Sequence, residues 1–149
     1  MRYLRATIVF QEIPDEVSLA IEITGCPNHC PGCHSPELQE VRGSEITPEL
    51  LTHWEQTQGR YITTYLFMGG DHYKDELIQL LGWAHQQGKL TGLYSGAAGM
   101  DPDIAAHLDY YKTGPYEEAR GPITQPGTNQ QLWKRVGREW VDITSRMQK

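Results

Sequence analysis

The first part of the chain contains two apolar runs that are typical of β-strands. Residues 5–13 and 17–23 are rich in β-branched residues, and the segment Pro14-Asp15-Glu16 separates them. Two such runs around a turn predict an N-terminal β-hairpin. The second run is almost continuously apolar, which indicates a core strand, and it leads directly into Thr24-Gly25-Cys26.

Helical and strand patterns alternate through the middle of the chain. Thr47 before Pro48 suits a helix N-cap and first turn. The clearest helical spacing begins at Tyr73, and Gly88 is its natural stop. The predicted elements are a helix from Thr47, a strand over 61–68, a helix over 73–88, a strand over 90–94, a helix over 101–108 and a strand over 109–113.

This alternation predicts an α/β fold with parallel strands and helical crossovers. Each core strand is followed by a glycine, at Gly25, Gly69-Gly70, Gly96 and Gly114. In α/β folds, ligands bind at the carboxyl ends of the strands, so these glycines predict one rim at which backbone approaches a ligand. A complete eight-unit barrel needs roughly 200 residues or more, so any barrel here would be incomplete.

The last third of the chain predicts a long loop and a second hairpin. Residues 115–129 contain three prolines and two glycines, which indicates a loop. Residues 131–136 and 139–144 are β-rich and flank Gly137-Arg138, which predicts a β-hairpin, with a helix as the alternative.

Composition and charge narrow the classes of protein. A chain of 149 residues with 38% hydrophobic residues suits a single domain over residues 1–149. The formal net charge of −6 and the pI of about 5.4 argue against a nucleic-acid binder. Without an apolar run of about 18 residues or the core of a signal peptide, we expect a cytoplasmic protein with no membrane association.

The C-terminal end differs in charge from the rest of the chain. Residues 130–149 hold five basic and two acidic residues, whereas the preceding residues are strongly acidic. The basic segment from Lys134 to Arg138 and the loop over 115–129 are therefore candidate docking surfaces for a partner. A solvated terminal element is the alternative.

The three cysteines lie within eight residues, at Cys26, Cys30 and Cys33. A disulfide framework would spread an even number of cysteines along the chain, so the cluster indicates metal binding. The spacing CxxxCxxC lets one loop direct three thiolates toward a 4Fe-4S cluster, which normally takes four cysteine ligands. One iron would then be open to a further ligand.

Two other interpretations of the cysteines stay open. With His29 or His34 they would form a Cys₃His zinc site, although structural zinc sites usually join separate chain segments. Cys30-Pro-Gly-Cys33 is also formally a CxxC redox pair, but it lacks the context of thioredoxin-like proteins. We expect His29 and His34 to lie beside the metal ligands or to face solvent rather than to bind the metal.

The order of the motifs resembles the radical S-adenosylmethionine superfamily, in which CxxxCxxC follows the first core strand and a Gly-Gly-acid triplet follows the second. Gly32 and His72 depart from it, since many members have an aromatic residue and a proline at these places. More narrowly, the motifs resemble those of the activating proteins of anaerobic ribonucleoside-triphosphate reductases. The matching segments are residues 24–34, 69–71, 94–96, 114–116 and 127–130.

The resemblance implies a fold and a set of cofactors. The fold is a partial βα barrel of the radical S-adenosylmethionine type, with the N-terminal hairpin and a C-terminal β extension. One 4Fe-4S cluster is implied on Cys26, Cys30 and Cys33, with S-adenosylmethionine on its open iron. The implied cofactor-binding residues are Gly32, His34, Met68, Gly69, Gly70, Asp71, Ser95 and Gly96.

The resemblance also implies an oxidoreductase that activates a glycyl-radical enzyme. One electron from a flavodoxin-type reductant would cleave S-adenosylmethionine into methionine and a 5′-deoxyadenosyl radical. This radical would take hydrogen from a glycine Cα of the large subunit of the anaerobic ribonucleoside-triphosphate reductase. No catalytic acid or base is implied, in agreement with the lack of a triad or paired-carboxylate motif in the sequence.

Three alternatives remain for the function. Pyruvate formate-lyase-type activases often carry extra cysteine clusters, whereas this chain has no cysteine outside residues 26–33. A small-molecule radical enzyme would need a more closed barrel than this length provides. A zinc or iron–sulfur interaction module is the alternative from outside the enzymes.

Overall fold

The computed structural model describes residues 1–25 and 43–148. The predicted metal ligands Cys26, Cys30 and Cys33, together with Gly32 and His34, therefore lie outside the described residues. The strands are β1 (Arg2–Val9), β2 (Ser18–Ile23), β3 (Ser44–Glu45), β4 (Thr64–Met68), β5 (Leu90–Tyr94), β6 (Tyr110–Thr113), β7 (Gln131–Val136) and β8 (Glu139–Asp142).

The helices of the described residues are α1 (Pro48–Gln58), α2 (Lys74–Gln86) and α3 (Pro102–Ala105), with 3₁₀ turns at Gly59–Tyr61 and Thr144–Met147. As predicted, Thr47 caps α1, and its hydroxyl accepts the Leu50 N–H at 3.2 Å. The helix predicted over 101–108 is shorter than expected. In residues 1–25 and 43–148, no helix has the length and apolar character that crossing a membrane requires.

The strands form one mixed sheet in the order β3-β1-β2-β4-β5-β6-β7-β8. Neighbours from β2 through β6 run parallel, and the flanking pairs run antiparallel. Within the described ranges the edge strands β3 and β8 do not pair with each other, so the sheet is open. The architecture is α/β, and its membership of the partial-barrel class stays a prediction.

Both predicted hairpins are present, although the first arm runs over Arg2–Val9 and not over 5–13 as expected. β1 pairs with β2 from Tyr3 opposite Ile23 to Val9 opposite Ser18, and β7 pairs with β8 around Gly137-Arg138. The alternative of a helix for the tail is wrong, because both arms pair as strands. Residues 115–129, which are all described, contain no helix or named strand, as predicted, and an isolated bridge joins Glu117 to Gly121.

The two faces of the sheet are covered differently. Alternate residues such as Ile21, Phe67 and Leu93 pack beneath the helices on one face. On the other face, Ile13 from the β1–β2 turn packs against β-strand residues in a second, smaller core. Gly92 makes this possible, because a Cβ there would lie 2.7 Å from Ile13 Cδ1. In the part of the chain that the structure describes, the turn and Ile143 cover this face, which we call the turn-covered face.

Candidate functional site

The carboxyl ends of β2, β4, β5 and β6 lie side by side, because these strands are parallel neighbours. Met68 stands opposite Glu22 on one side and Tyr94 on the other, and Tyr94 stands opposite Lys112. The segments that follow the strands meet along one edge, which we call the carboxyl rim: residues 24–25, 69–71, 95–96 and 114. Gly25, the residue bonded to Cys26, belongs to this rim.

Gly69 and Gly70 end β4 with left-handed backbone, at φ +91° and +101°. The Gly69 N–H donates to the carbonyl oxygen of Tyr94 at 2.9 Å, which fixes the two strand ends together. A Cβ on Gly70 would lie 3.3 Å from Ile23 Cγ1, whereas one on Gly69 would meet nothing closer than 3.6 Å. Gly70 is buried and Gly69 only half-buried. Gly69 therefore leaves accessible backbone at the rim, and Gly70 packs on β2.

Asp71 and Ser95, both predicted as site residues, are in direct contact. The Ser95 hydroxyl donates to Asp71 Oδ2 at 2.8 Å. Asp71 is half-buried, while Ser95 is buried. Partial burial lowers the pKa of the adjacent His72 and outweighs the opposing effect of Asp71, so His72 is less protonated at neutral pH than a free histidine.

Met68 and Tyr94 extend from the rim onto the turn-covered face of the sheet, where both pack against the smaller core. The Tyr94 hydroxyl donates to the carbonyl oxygen of Glu12, and burial raises the pKa of Tyr94, so the phenol stays protonated at neutral pH. The Lys112 ammonium lies 4.9 Å from the centre of the Tyr94 ring. The sequence placed Tyr94 in the motif over 94–96 but did not single out Lys112, and their positions beside Met68 depend on the strand register, which the sequence does not encode.

Two distant motif segments, 114–116 and 127–130, meet at the end of β6. Gly114 has φ +98°, and a Cβ on it would lie 2.7 Å from the carbonyl oxygen of Asn129. The Asn129 side chain donates from Nδ2 to the Pro115 carbonyl at 2.8 Å. The Gly114 N–H donates to the Ala97 carbonyl at 2.6 Å. These contacts anchor both ends of the 115–129 loop at the rim.

The basic segment from Lys134 to Arg138 is partly used inside the fold. Arg135 donates to the carbonyl oxygens of Leu108 and Ala105, and its guanidinium lies 4.5 Å from the centre of the Trp140 ring. Lys134 lies over the ring of Tyr110 at 5.9 Å. Arg135 is thus engaged within the fold, and a docking role for the segment stays a prediction.

The predicted metal ligands all lie in the cysteine segment, residues 26–33. Within residues 1–25 and 43–148, no group of three or more histidine, cysteine or acidic side chains is arranged to hold a metal ion. Gly96 lies half-buried on the rim beside Ser95, as the predicted site requires. The structure therefore brings together the described predicted residues Met68, Gly69, Gly70, Asp71, Ser95 and Gly96.

Comparison with known proteins adds the nature of the metal group. A family model described as a 4Fe-4S single cluster domain matches residues 17–98, more than half of the chain. This range includes all three cysteines and the rim as far as β5, and it supports the iron–sulfur interpretation over zinc. No curated protein and no solved structure matches the chain. The chain belongs to the family of 4Fe-4S single cluster domains.

Proposed function

We propose that this protein is a radical S-adenosylmethionine activase that generates a glycyl radical on an anaerobic ribonucleoside-triphosphate reductase. The observation that supports this most directly is the meeting of Gly69 and Asp71 with Gly25, the residue before Cys26, at one rim of parallel strands. Family membership accounts for the cluster. The rim is the proposed binding site for the amino-acid part of a ligand next to the cluster.

The described residues fit the methionine end of S-adenosylmethionine. Asp71 offers a carboxylate, and its Oδ1 accepts no hydrogen bond from any described residue. Gly69, two residues before Asp71 in the chain, presents half-buried backbone without a side chain. We propose that one ammonium group binds both, because charge-assisted hydrogen bonds of this kind are strong. Met68 would pack along the apolar part of the same ligand.

The cysteine segment carries the right donor chemistry for the cluster. Cys26, Cys30 and Cys33 supply three thiolates, the ligands that 4Fe-4S clusters take. When bound, the cluster would supply the electron for cleavage of the sulfonium bond of S-adenosylmethionine. Gly32, His34 and Gly96 are proposed to line the pocket.

The chain's own contribution is to bind, to orient and to exclude water. Gly69 and Asp71 would fix the ligand at one end, and the protonated Tyr94 with Met68 would shield it on the turn-covered face. The sheet is open within the described residues, so we propose that it is a partial barrel whose missing wall is the reductase itself. The exposed part of the 115–129 loop and Arg138 are the proposed docking surfaces, and a flavodoxin-type protein is the proposed reductant.

The proposal is tested by electron paramagnetic resonance on anaerobically prepared protein. With a reductant, S-adenosylmethionine and the cognate reductase, a glycyl radical doublet should appear, accompanied by methionine and 5′-deoxyadenosine. Cys30→Ala is the matched control, and it should give neither the products nor the doublet. Turnover of a small molecule by the chain alone, without a doublet on a competent reductase, would show that the activase proposal is wrong.

A further inference from the structure

We infer that Ser95 is a positioning residue, which holds the carboxylate of Asp71 in place for an ammonium group at the carboxyl rim. The inference rests on the proposed function, because the ammonium group is that of S-adenosylmethionine. It changes the role expected for Ser95 from the sequence. Ser95 would act on the ligand through Asp71 and not by touching it.

Burial excludes a direct contact from Ser95 to a ligand in this conformation. The residue is 1% exposed, and its N–H donates to the Lys112 carbonyl at 2.9 Å. A hydroxyl has one proton to donate and two lone pairs. The proton goes to Asp71 Oδ2 at 2.8 Å, and one lone pair accepts the Ala97 N–H at 3.0 Å. The donor of Ser95 is therefore committed to Asp71.

The same hydrogen bond decides which oxygen of Asp71 is left for a ligand. Oδ2 accepts the Ser95 proton, and Oδ1 accepts none from the residues that the structure describes. Ser95 is itself fixed by β6 and by the turn at Ala97, so Asp71 is tied to a rigid strand end. A carboxylate held in advance loses less freedom when it binds a cation. The arrangement thus prepares one carboxylate oxygen at the rim.

Ser18 provides a matched comparison at the opposite end of the sheet. It is fully buried at the start of β2, but its hydroxyl has no hydrogen-bond partner among the described residues. At this position a buried serine hydroxyl is therefore tolerated without a hydrogen bond to any described residue. Ser18→Ala removes the same atoms as Ser95→Ala, far from the rim, and controls for the loss of a buried hydroxyl.

The test is isothermal titration of cluster-loaded protein with two ligands. S-adenosylmethionine carries the ammonium group, whereas 5′-methylthioadenosine lacks the amino-acid part. Because hydrogen bonds to charged groups are the stronger class, Ser95→Ala should weaken S-adenosylmethionine about tenfold and leave 5′-methylthioadenosine unchanged. Ser18→Ala should change neither affinity. Ser95→Thr, which keeps a hydroxyl, should restore most of the loss.

A double-mutant cycle separates positioning from a general structural effect. If Ser95 acts through Asp71, adding Ser95→Ala to Asp71→Ala should cause no further loss of S-adenosylmethionine affinity. Additive losses, or equal weakening of both ligands, would overturn the inference and leave the proposed function standing. Failure of the unmodified protein to bind S-adenosylmethionine would overturn the proposed function as well. If Ser95→Ala does not fold, Ser95→Gly replaces it in the same cycle.

Discussion

Replacing Gly114 with alanine should destabilise the protein strongly, because the position combines two constraints. Its φ of +98° is a conformation that favours glycine. A Cβ there would also lie 2.7 Å from the carbonyl oxygen of Asn129 and 3.0 Å from the Cα of Gln130. Both atoms belong to the backbone, so no side-chain rotation can relieve the clash. Relief requires the 115–129 loop to move away from the end of β6.

The magnitude follows from the two contributions taken separately. A non-glycine residue in left-handed backbone costs roughly 1–2 kcal/mol. Forcing an extra carbon into a packed site costs about 1–3 kcal/mol more. Gly137 isolates the first contribution, because it has φ +65° in the β7–β8 turn and a Cβ on it would meet no atom within 4 Å. Gly114→Ala should therefore be about 1–3 kcal/mol less stable than Gly137→Ala.

Thermal unfolding of the two variants measures this difference. For a chain of this size, 1 kcal/mol corresponds to about 2–4 °C, so the Tm of Gly114→Ala should lie roughly 2–12 °C below that of Gly137→Ala. Both proteins need the same cluster content, because a bound group raises the apparent stability. Equal Tm values would refute the reasoning, since they would mean that the backbone at Asn129 moves away from the new Cβ without loss of stability.

Three further predictions use single substitutions. Gly69→Ala should weaken S-adenosylmethionine binding in a titration. Gly88→Ala is the control, because Gly88 also has positive φ and open space but lies far from the rim, so it should cost similar stability and leave binding unchanged. Equal affinities of the two variants would remove Gly69 from the site. Cys30→Ala should lose the cluster, and full iron and sulfide content in this variant would exclude the ligand set. Gly92→Ala should lower stability by about 1–2 kcal/mol in urea unfolding, and Ile13→Val in the same chain should restore part of it; a neutral Gly92→Ala would show that Ile13 moves freely.

Local patterns predicted most of the secondary structure, because they depend on neighbouring residues. The hairpins, the capped start of α1 and the periodicity of α2 all follow from spacing and turn residues. The two-residue strand β3 was missed, since Ser44-Glu45 carries no apolar signal and is a strand only by pairing with Arg2 and Tyr3. The role of Ile13 was missed for the same kind of reason. It depends on Gly92, far away in the sequence.

The sequence predicted where in the fold the candidate site lies, but it did not predict which side chains contact each other there. Parallel strands bring their carboxyl ends to one edge whatever the side chains are, so a glycine after each strand was enough to predict the rim. The hydrogen bond from Ser95 to Asp71 spans 24 residues and depends on the register of β4 against β5. No spacing within the sequence encodes that register. Sequence reasoning therefore grouped Ser95 with the ligand contacts.

The rim glycines show why residue type alone cannot assign function. Gly69, Gly70 and Gly114 all end parallel strands at positive φ, and they give the same signal in the sequence. Their surroundings distinguish them. A Cβ would be crowded by the Ile23 side chain at Gly70 and by the backbone of Asn129 at Gly114, whereas at Gly69 it would make only ordinary van der Waals contacts. Glycine at Gly70 and Gly114 is thus required by packing as well as by backbone conformation. Gly69 is the one of the three whose missing side chain leaves room that a ligand can use.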